Sequence, residues 1–456
     1  MKLFSKVYFD DIIGETRIWR DTMSILSGKG KVKLDGQKGL TKDKPILSIE
    51  APDVVYIPLV LGLATDFDVH VKEGDHVCIG TKLATRKSMY VPIYSSVSGT
   101  VKGIERRMHA SKRLQQHIVI ENDHKNERVK ALDIQDPDSM SQEDVFNAIK
   151  ELGIIGLGGS GFPTYIKYSH PENIETILIN GVECEPFLTS DHLAMKRDVK
   201  ALFDGVHFLI KAAGAKNAII AIKEHKPDLM ELLVEEAKNY DNIEPREVPD
   251  RYPMGWERVV VETVFKKEYD KLPAEIGVIV NNSSTAIALS KGIRKGEPIT
   301  HRVVTFSGNG LKNPQNVEVA IGTPVNYIVE KIGGYIDDDC DGFLVGGGPM
   351  MGKSVVNDTF VIYSHNNAIT VMKKENIKPL PCLKCGECTL HCPAHLQPVR
   401  IMQAEKAANV ELIEKLDITR CVECGMCTYI CPSKIEVTDM VAKAKRRYQI
   451  AQRRKG

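Results

Sequence analysis

"GLGGSGFPTYIKY", residues 156–168, meets the G-x-G-x-x-G pattern through Gly156, Gly158 and Gly161. A dinucleotide fingerprint needs a strand before it and a helix after it, so that a pyrophosphate meets the first turn of that helix. What comes first here is the helical stretch "QEDVFNAIKEL" (142–152), with only a few apolar residues between. The match is formal. A nucleophile elbow also fails, because "GGSGF" puts phenylalanine where G-x-S-x-G requires glycine. Taken alone, the loop reads as a glycine-rich connector.

Its surroundings say more. The preceding helix starts at Ser141 with Asp144 in its first turn and closes at Gly153. Downstream, "ETILIN" (175–180) reads as a strand, 197–213 as a helix, "NAIIAI" (217–222) as a strand and 226–240 as a helix. That alternation predicts a parallel sheet with crossover helices. Upstream, 1–40 is a mixed extension without a period, and from Thr41 short apolar runs are split by glycine. "VHVKEGDHVCIGTKLA" (69–84) and "VPIYSSVSGTVKGI" (91–104) look like the two halves of a lipoyl- or biotinyl-carrier barrel. The hairpin "ATRKSMYV" (84–91) lacks the sequence around a modified lysine, so the barrel reads as structural. Residues 125–141 are polar and suit a linker. After 300, "RVVTFSGNG" and "NVEVAIG" read as strands, then come a helix at 324–332 and the glycine run "VGGGPMMG" (345–352).

Eight of the 11 cysteines fall between Cys382 and Cys431. "CLKCGECTLHCP" (382–393) and "CVECGMCTYICP" (421–432) each read C-x2-C-x2-C-x3-C-P. Three thiolates at this spacing cap one iron–sulfur cubane, and the fourth ligates the other cluster. The spacing assigns Cys382, Cys385, Cys388 and Cys431 to one [4Fe–4S] cluster and Cys421, Cys424, Cys427 and Cys392 to a second. Structural zinc needs only four ligands per site and no trailing Cys-Pro. Residues 396–416 between the blocks read as helical, so the module resembles a helical ferredoxin. A net charge of +1 gives no push toward nucleic acid. The apolar run "VVYIPLVLGLA" (54–64) is far short of the roughly 20 residues that span a bilayer. With no signal peptide at its start, the chain is expected to be soluble or peripheral.

The glycine loop, "INGVECEPFLTSDH" (179–192), "NNSSTAIAL" (281–289) and the cysteine module together resemble the flavin–NADH subunit of respiratory complex I. With the barrel in front, their order is more closely similar to the RnfC component of Rnf electron-transport complexes. The resemblance implies a multi-domain α/β and α+β chain. Its parts are an extension (1–40), a barrel-sandwich β domain (41–125), a Rossmann-like FMN/NADH domain (140–298), a β-grasp SLBB-like domain (299–360), a helical two-cluster ferredoxin domain (375–442) and a basic tail (443–456). It implies bound FMN, reduced by NADH and feeding the clusters one electron at a time. The implied cofactor pocket draws on Gly156, Gly158, Gly159, Ser160, Gly161, Phe162, Thr164, Lys167, Asn180, Glu183, Glu185, Trp256, Glu257, Asn281, Asn282 and Thr285. The phosphate would meet the backbone N–H groups of 158–161 and a helix start at Pro163–Thr164, helped by Lys167.

The implied partners are NADH and the integral-membrane and ferredoxin-like subunits of an Rnf-type ion-translocating ferredoxin:NAD oxidoreductase, met at the cytoplasmic face of the membrane. At 252–257 the chain reads "YPMGWE", where most sequences of the RnfC type read Tyr-Pro-Gln-Gly-Gly-Glu. A second glycine would let a nucleotide approach the backbone, and Trp256 does not. That departure sustains an alternative: a soluble flavin/iron–sulfur electron shuttle to a catabolic reductase, similar to the corrinoid-reducing and proline-reductase-associated proteins, with a donor other than NADH.

Overall fold

The computed structural model describes residues 32–337 and 342–455. The expected extension up to residue 31, and Cys340, lie outside the described residues. The chain divides into two compact units: 35–250 with 254–374, and 375–455 with 32–34 and 251–253.

At the centre of the first unit is a four-stranded sheet. Its order is Ile243–Val248, Asn217–Lys223, Thr176–Asn180 and Val278–Asn282, all paired in parallel. Three of the strands are nearly continuous apolar runs, with helices over both faces, while the edge strand Ile243–Val248 reads IEPREV and is buried only at its two ends. Alternate residues serve opposite sides: Ile177 and Ile179 join a core with Leu202, Phe203 and Leu209, while Leu178 joins another with Val182, Val259 and Val280. The helix Val199–Ala213 lies very close to Ser283–Lys295, since a Cβ on Gly205 would stand 1.9 Å from the Ala286 carbonyl oxygen.

The helix expected over 197–213 is two, Ser190–Arg197 and Val199–Ala213, broken at Asp198, whose carboxylate binds Arg197 and Lys291. The helix expected after the glycine loop is a five-residue 3-10 turn, Thr164–Tyr168, with Pro163 as its extended N-cap.

The N-terminal domain packs a four-stranded sheet (Val54–Pro58, Leu114–Asn122, Gly99–Met108, His76–Val77) with a three-stranded one (Phe67–Val69, Lys82–Arg86, Val91–Tyr94). A further six-stranded sheet has His301–Ser307, Gln315–Ala320 and Gly342–Gly346 among its strands. It departs from the expected boundaries twice. Leu47–Ser48 pairs with Val317–Glu318 although it lies within the range given to the barrel, and Ala368–Lys373, beyond residue 360, pairs with both His301–Ser307 and Gly342–Gly346. A strand's partner is fixed by long-range pairing, which composition does not reveal.

The second unit is helical: Pro398–Lys406, Val410–Lys415 and Val437–Lys455 close over Ile401, Ile413, Ile418, Val441 and Ala444. The single helical stretch expected over 396–416 is interrupted where Ala408 takes φ 51°. The basic tail is the continuation of the last helix. Arg447 grips the buried Glu405 carboxylate with Nε and Nη2 (2.7 and 2.9 Å), and Lys445 Nζ donates to the Cys421 carbonyl (2.5 Å). Among the described residues no helix is long and apolar enough to cross a membrane.

Candidate functional site

The glycine loop is pinned at the carboxyl ends of the central strands, where open α/β sheets collect ligands. Leu157 N–H donates to Thr285 Oγ1 (2.9 Å), and that hydroxyl donates to the Ile155 carbonyl (3.1 Å). Within the loop, Gly156 N–H donates to Phe162 O (2.8 Å) and Gly161 N–H to Gly156 O (2.9 Å). The N–H of Gly161 is therefore spent, which corrects its expected place among the phosphate donors. Among the described residues, no protein acceptor meets the N–H groups of Gly158, Gly159 and Ser160. Left-handed backbone at Gly159 (φ 102°) and Gly161 (φ 60°) makes the turn possible.

Side chains are excluded from the loop from two directions. A Cβ on Gly158 would lie 2.9 Å from Asn282 Nδ2, and one on Gly161 3.0 Å from the His365 ring. Ser160 Oγ accepts weakly from Phe162 N–H (3.4 Å), the Phe162 ring is exposed, and Thr164 N–H is bonded to Ile154 O (2.9 Å). Lys167 does not turn toward the loop's backbone. Its Nζ donates to the Val280 carbonyl (2.6 Å) and stands 3.9 Å from Glu257 Oε2, and burial lowers its pKa.

Asn282 and Asp191 link this loop to the turn that follows Asn180. Asn180 Nδ2 donates to Gly255 O (2.8 Å) while its Oδ1 accepts from Val182 N–H (3.2 Å). Asn281 Nδ2 donates to the Tyr168 hydroxyl (2.5 Å). Asn282 caps the helix Ser283–Lys295 through Ser284 N–H (2.9 Å) and donates to Asp191 Oδ2 (2.7 Å). Glu183 is left-handed at φ 45°; its Oε1 accepts from Asp191 N–H (2.8 Å), and its buried Oε2 has no hydrogen bond among the described residues. Glu185 accepts from the N–H groups of Met350 (3.1 Å) and Met351 (2.8 Å) in the glycine run, and burial pushes its carboxyl up to about 7. Trp256 sits at the N-cap of Glu257–Phe265, half-buried beside Cys184 and Met254 in the apolar cluster under the turn. Burial pushes the Cys184 thiol up to about 11.

Sequence reasoning missed four contributors. Lys38, placed in the extension, sends its buried ammonium into the turn, donating to the carbonyls of Glu183 (3.0 Å), Glu185 (2.7 Å) and Leu188, and standing 3.9 Å from Glu183 Oε2. Burial lowers its pKa to about 8. Asp191 is buried, accepting from Asn282 and from Ser284 Oγ (2.6 Å). Arg302, also buried, donates to the carbonyls of Leu157 (3.0 Å) and Asn366 (3.2 Å). The His365 ring packs on Tyr363 at 4.5 Å between centroids and keeps a buried Nδ1 without a partner among the described residues, and burial pushes its pKa down to about 3. Asp191 falls within the stretch 179–192; no local signal marked Lys38, Arg302 or His365. Three free N–H groups, glycines with no room for a Cβ and a buried imidazole nitrogen without a partner suit an anionic cofactor lying against backbone.

In the second unit the eight thiols form two sets. One cavity is lined by Cys382, Cys385, Cys388 and Cys431, with Val399, Ile435 and Val437; the other by Cys392, Cys421, Cys424 and Cys427, with Leu396, Ile401 and Val441. The two turns repeat each other. Lys384 and Glu423 are left-handed (φ 57° and 55°), and their N–H groups donate to Cys382 and Cys421 Sγ at 3.4 Å each. Gly386 and Gly425 (both φ 79°) each start a one-turn helix that carries the third cysteine. Four soft sulfur donors in an apolar wall, with N–H groups on sulfur, fit a [4Fe–4S] cubane in each cavity.

Comparison with known proteins agrees. Residues 26–125 match the family model described as RnfC barrel sandwich hybrid domain, 149–291 the Nuo51 FMN-binding domain, 303–354 the SLBB domain and 374–432 the 4Fe-4S dicluster domain. The cofactors are thus FMN and two [4Fe–4S] clusters, and the expected fold class is borne out. The C-subunit of the Na(+)-translocating ferredoxin:NAD(+) oxidoreductase complex of Acetobacterium woodii is 33% identical, over 94% of this chain and 98% of that protein. The C-subunit of the proton-translocating ferredoxin:NAD(+) oxidoreductase complex of Clostridium ljungdahlii is 32% identical over 82% and 83%. Its counterpart in the ion-translocating oxidoreductase complex of Rhodobacter capsulatus is 31% identical over 86% and 77%. On that identity and coverage, this chain belongs to the RnfC family, the C-subunits of Rnf-type ion-translocating oxidoreductase complexes.

Proposed function

We propose that the chain moves electrons between NAD(H), FMN and two [4Fe–4S] clusters as a peripheral subunit on the cytoplasmic face of a membrane ion-translocating ferredoxin:NAD oxidoreductase. The observation that carries this reading is the three N–H groups of Gly158, Gly159 and Ser160 at the strand ends, which meet no acceptor among the described residues, in a chain that also holds two four-thiol cavities. Bound FMN supplies the exchange between a two-electron hydride donor and one-electron acceptors. The chain's own residues hold it in place. The loop N–H groups would hold the phosphate, while Asn282 and Thr285 brace the loop, and Asn180 and Asn281 fix the strand ends. Lys167 braces the strand that ends at Asn282 through the Val280 carbonyl. Glu183 and Glu185 would border the nicotinamide, and Trp256 packs with Val182 and Cys184 of that turn. The crossed thiol sets, each drawing one cysteine from the other turn, keep the two clusters adjacent for one-electron exchange.

The test is anaerobic purification of the full chain with iron, sulfide and FMN analysis, followed by titration with NADH. About eight irons and one FMN per chain are expected, and NADH is expected to bleach the flavin absorption. If dithionite bleaches it and NADH does not, the nicotinamide donor is wrong. Zinc without sulfide would overturn the cluster reading.

A further inference from the structure

A second donor set lies in the barrel-sandwich domain. His76, Cys78 and Glu127 bring one ligand atom each within 4.8 Å of the other two. Neither the histidine nor the cysteine shows metal-ligand spacing with Glu127, because the fold joins Cys78 and Glu127 across 49 positions of sequence. Their backbones are already fixed. The strand His76–Val77 is paired with Thr100 and Gly99, Cys78 N–H donates to Thr81 Oγ1 (2.9 Å), and Ile79 N–H donates to the Glu127 carbonyl (2.8 Å). Glu127 N–H is held by Ser98 Oγ (3.2 Å), and Val129 N–H returns to Ile79 O (2.9 Å). The donors are therefore preorganised, with His76 and Glu127 exposed and Cys78 half-buried, open to an ion from solution. Cys78 Sγ stands 3.9 Å from Glu127 Oε2. Asp123, anchored by Ser98 Oγ (2.6 Å) and Lys125 N–H (3.0 Å), holds the His76 imidazole at 3.2 Å, as carboxylates behind metal-binding histidines do.

We propose that His76, Cys78 and Glu127 form a site for a borderline-soft divalent cation of the zinc class. The mixed donor set selects the ion. A sulfur ligand disfavours magnesium and calcium, and one thiol, one imidazole and one carboxylate with an open fourth position suit tetrahedral zinc. Zinc holds its ligands at about 2.0–2.3 Å, so the three atoms, within 4.8 Å of one another, would draw closer on binding. The bound ion would staple the start of the polar linker (125–141) to the barrel strand, on the path from the barrel to the flavin domain. Zinc binding releases the thiol proton and forms a Zn–S bond with no change of oxidation state.

The experiment uses the anaerobic, cluster-loaded full chain, equilibrated with micromolar ZnCl2, desalted, and assayed for zinc and iron by mass spectrometry. One zinc per chain is expected in the wild type, with iron unchanged. Cys78→Ser and His76→Ala are expected to lose it, and Asp123→Asn to weaken binding about tenfold. Iodoacetamide labelling of Cys78, mapped by peptide mass, should be blocked by zinc in the wild type. This second readout does not depend on how the variants fold. Equal zinc in wild type and Cys78→Ser, no zinc in the wild type, or unprotected labelling would each overturn the site. None of these outcomes bears on the flavin or cluster reading.

Discussion

The cysteine module and the flavin face are built in opposite ways. In the module, ligand spacing, left-handed residue, glycine and one-turn helix all fall within a dozen residues, and the pattern is written twice. The flavin face assembles Lys38, Gly158, Asn180, Asp191, Asn282, Arg302, Met351 and His365, so each of its contacts rests on the packing of a different element. Local chemistry survives being read as text, whereas a site gathered by tertiary structure does not.

The largest effect that could break this contrast is in the module. Cys392 lies in the first motif but lines the cavity of the second. Cys392→Ala and Cys424→Ala should therefore remove the same cluster, about four of eight irons, and leave the same residual EPR signal. Cys388→Ala should leave the other one. If Cys392→Ala instead matches Cys388→Ala, the crossed assignment is wrong and the motif is less legible than its spacing suggests.

Next in size is Glu185, on the face that depends on distant contacts. Its folded pKa, about 7, is raised above the ordinary 4.5 by burial. The native state thus binds the proton more tightly than the unfolded one. Its contribution is fully present below about pH 4.5 and is lost as pH rises through about 7, by up to ~3 kcal/mol. The amides of Met350 and Met351 report it directly. Their hydrogen-exchange protection, corrected for intrinsic rates, should fall across that window in the wild type and stay level in Glu185→Gln. A flat wild-type profile would remove the coupling between the acidic turn and the glycine run.

How much could be read in advance follows the same division. The eight cluster ligands, the strand–helix alternation and the glycine loop all rest on short-range signals. The failures are long-range. Lys38 looked like part of an undetermined extension because nothing near it reveals the Glu183, Glu185 and Leu188 carbonyls it joins. Gly161 looked like a phosphate donor because its hydrogen bond to Gly156 exists only once the loop closes. Residues 368–373 lay outside the β-grasp range because their partner strands are far away in sequence. Gly158→Ala tests the long-range part of the loop. Its methyl would meet Asn282 Nδ2 at 2.9 Å, so FMN affinity should fall about tenfold (~1.4 kcal/mol). Iron content should not change. Unchanged flavin affinity would mean that Asn282 yields and that the loop is looser than the contact implies.

The smallest effect separates range from location. Ser141 lies in the flavin unit, yet its signal is local. Its Oγ accepts from Asp144 N–H (3.1 Å), and Asp144 Oδ2 accepts from Ser141 N–H (2.8 Å), closing a capping box three residues long. The helix it starts carries Val145, Ala148 and Ile149 into the core and leads into the glycine loop. Ser141→Ala leaves one orphan N–H at the helix start and should lower the unfolding free energy of that helix by ~1 kcal/mol. The measurement is exchange protection of the amides of 145–151 in the full chain. Flavin content should hold, because Leu157, Thr285 and Ile155 anchor the loop independently of the cap. If flavin is lost with the cap, the helix sets the loop's position and local capping controls the assembled site. In that case the contrast between the two regions is one of degree, with a readable local signal at the root of both.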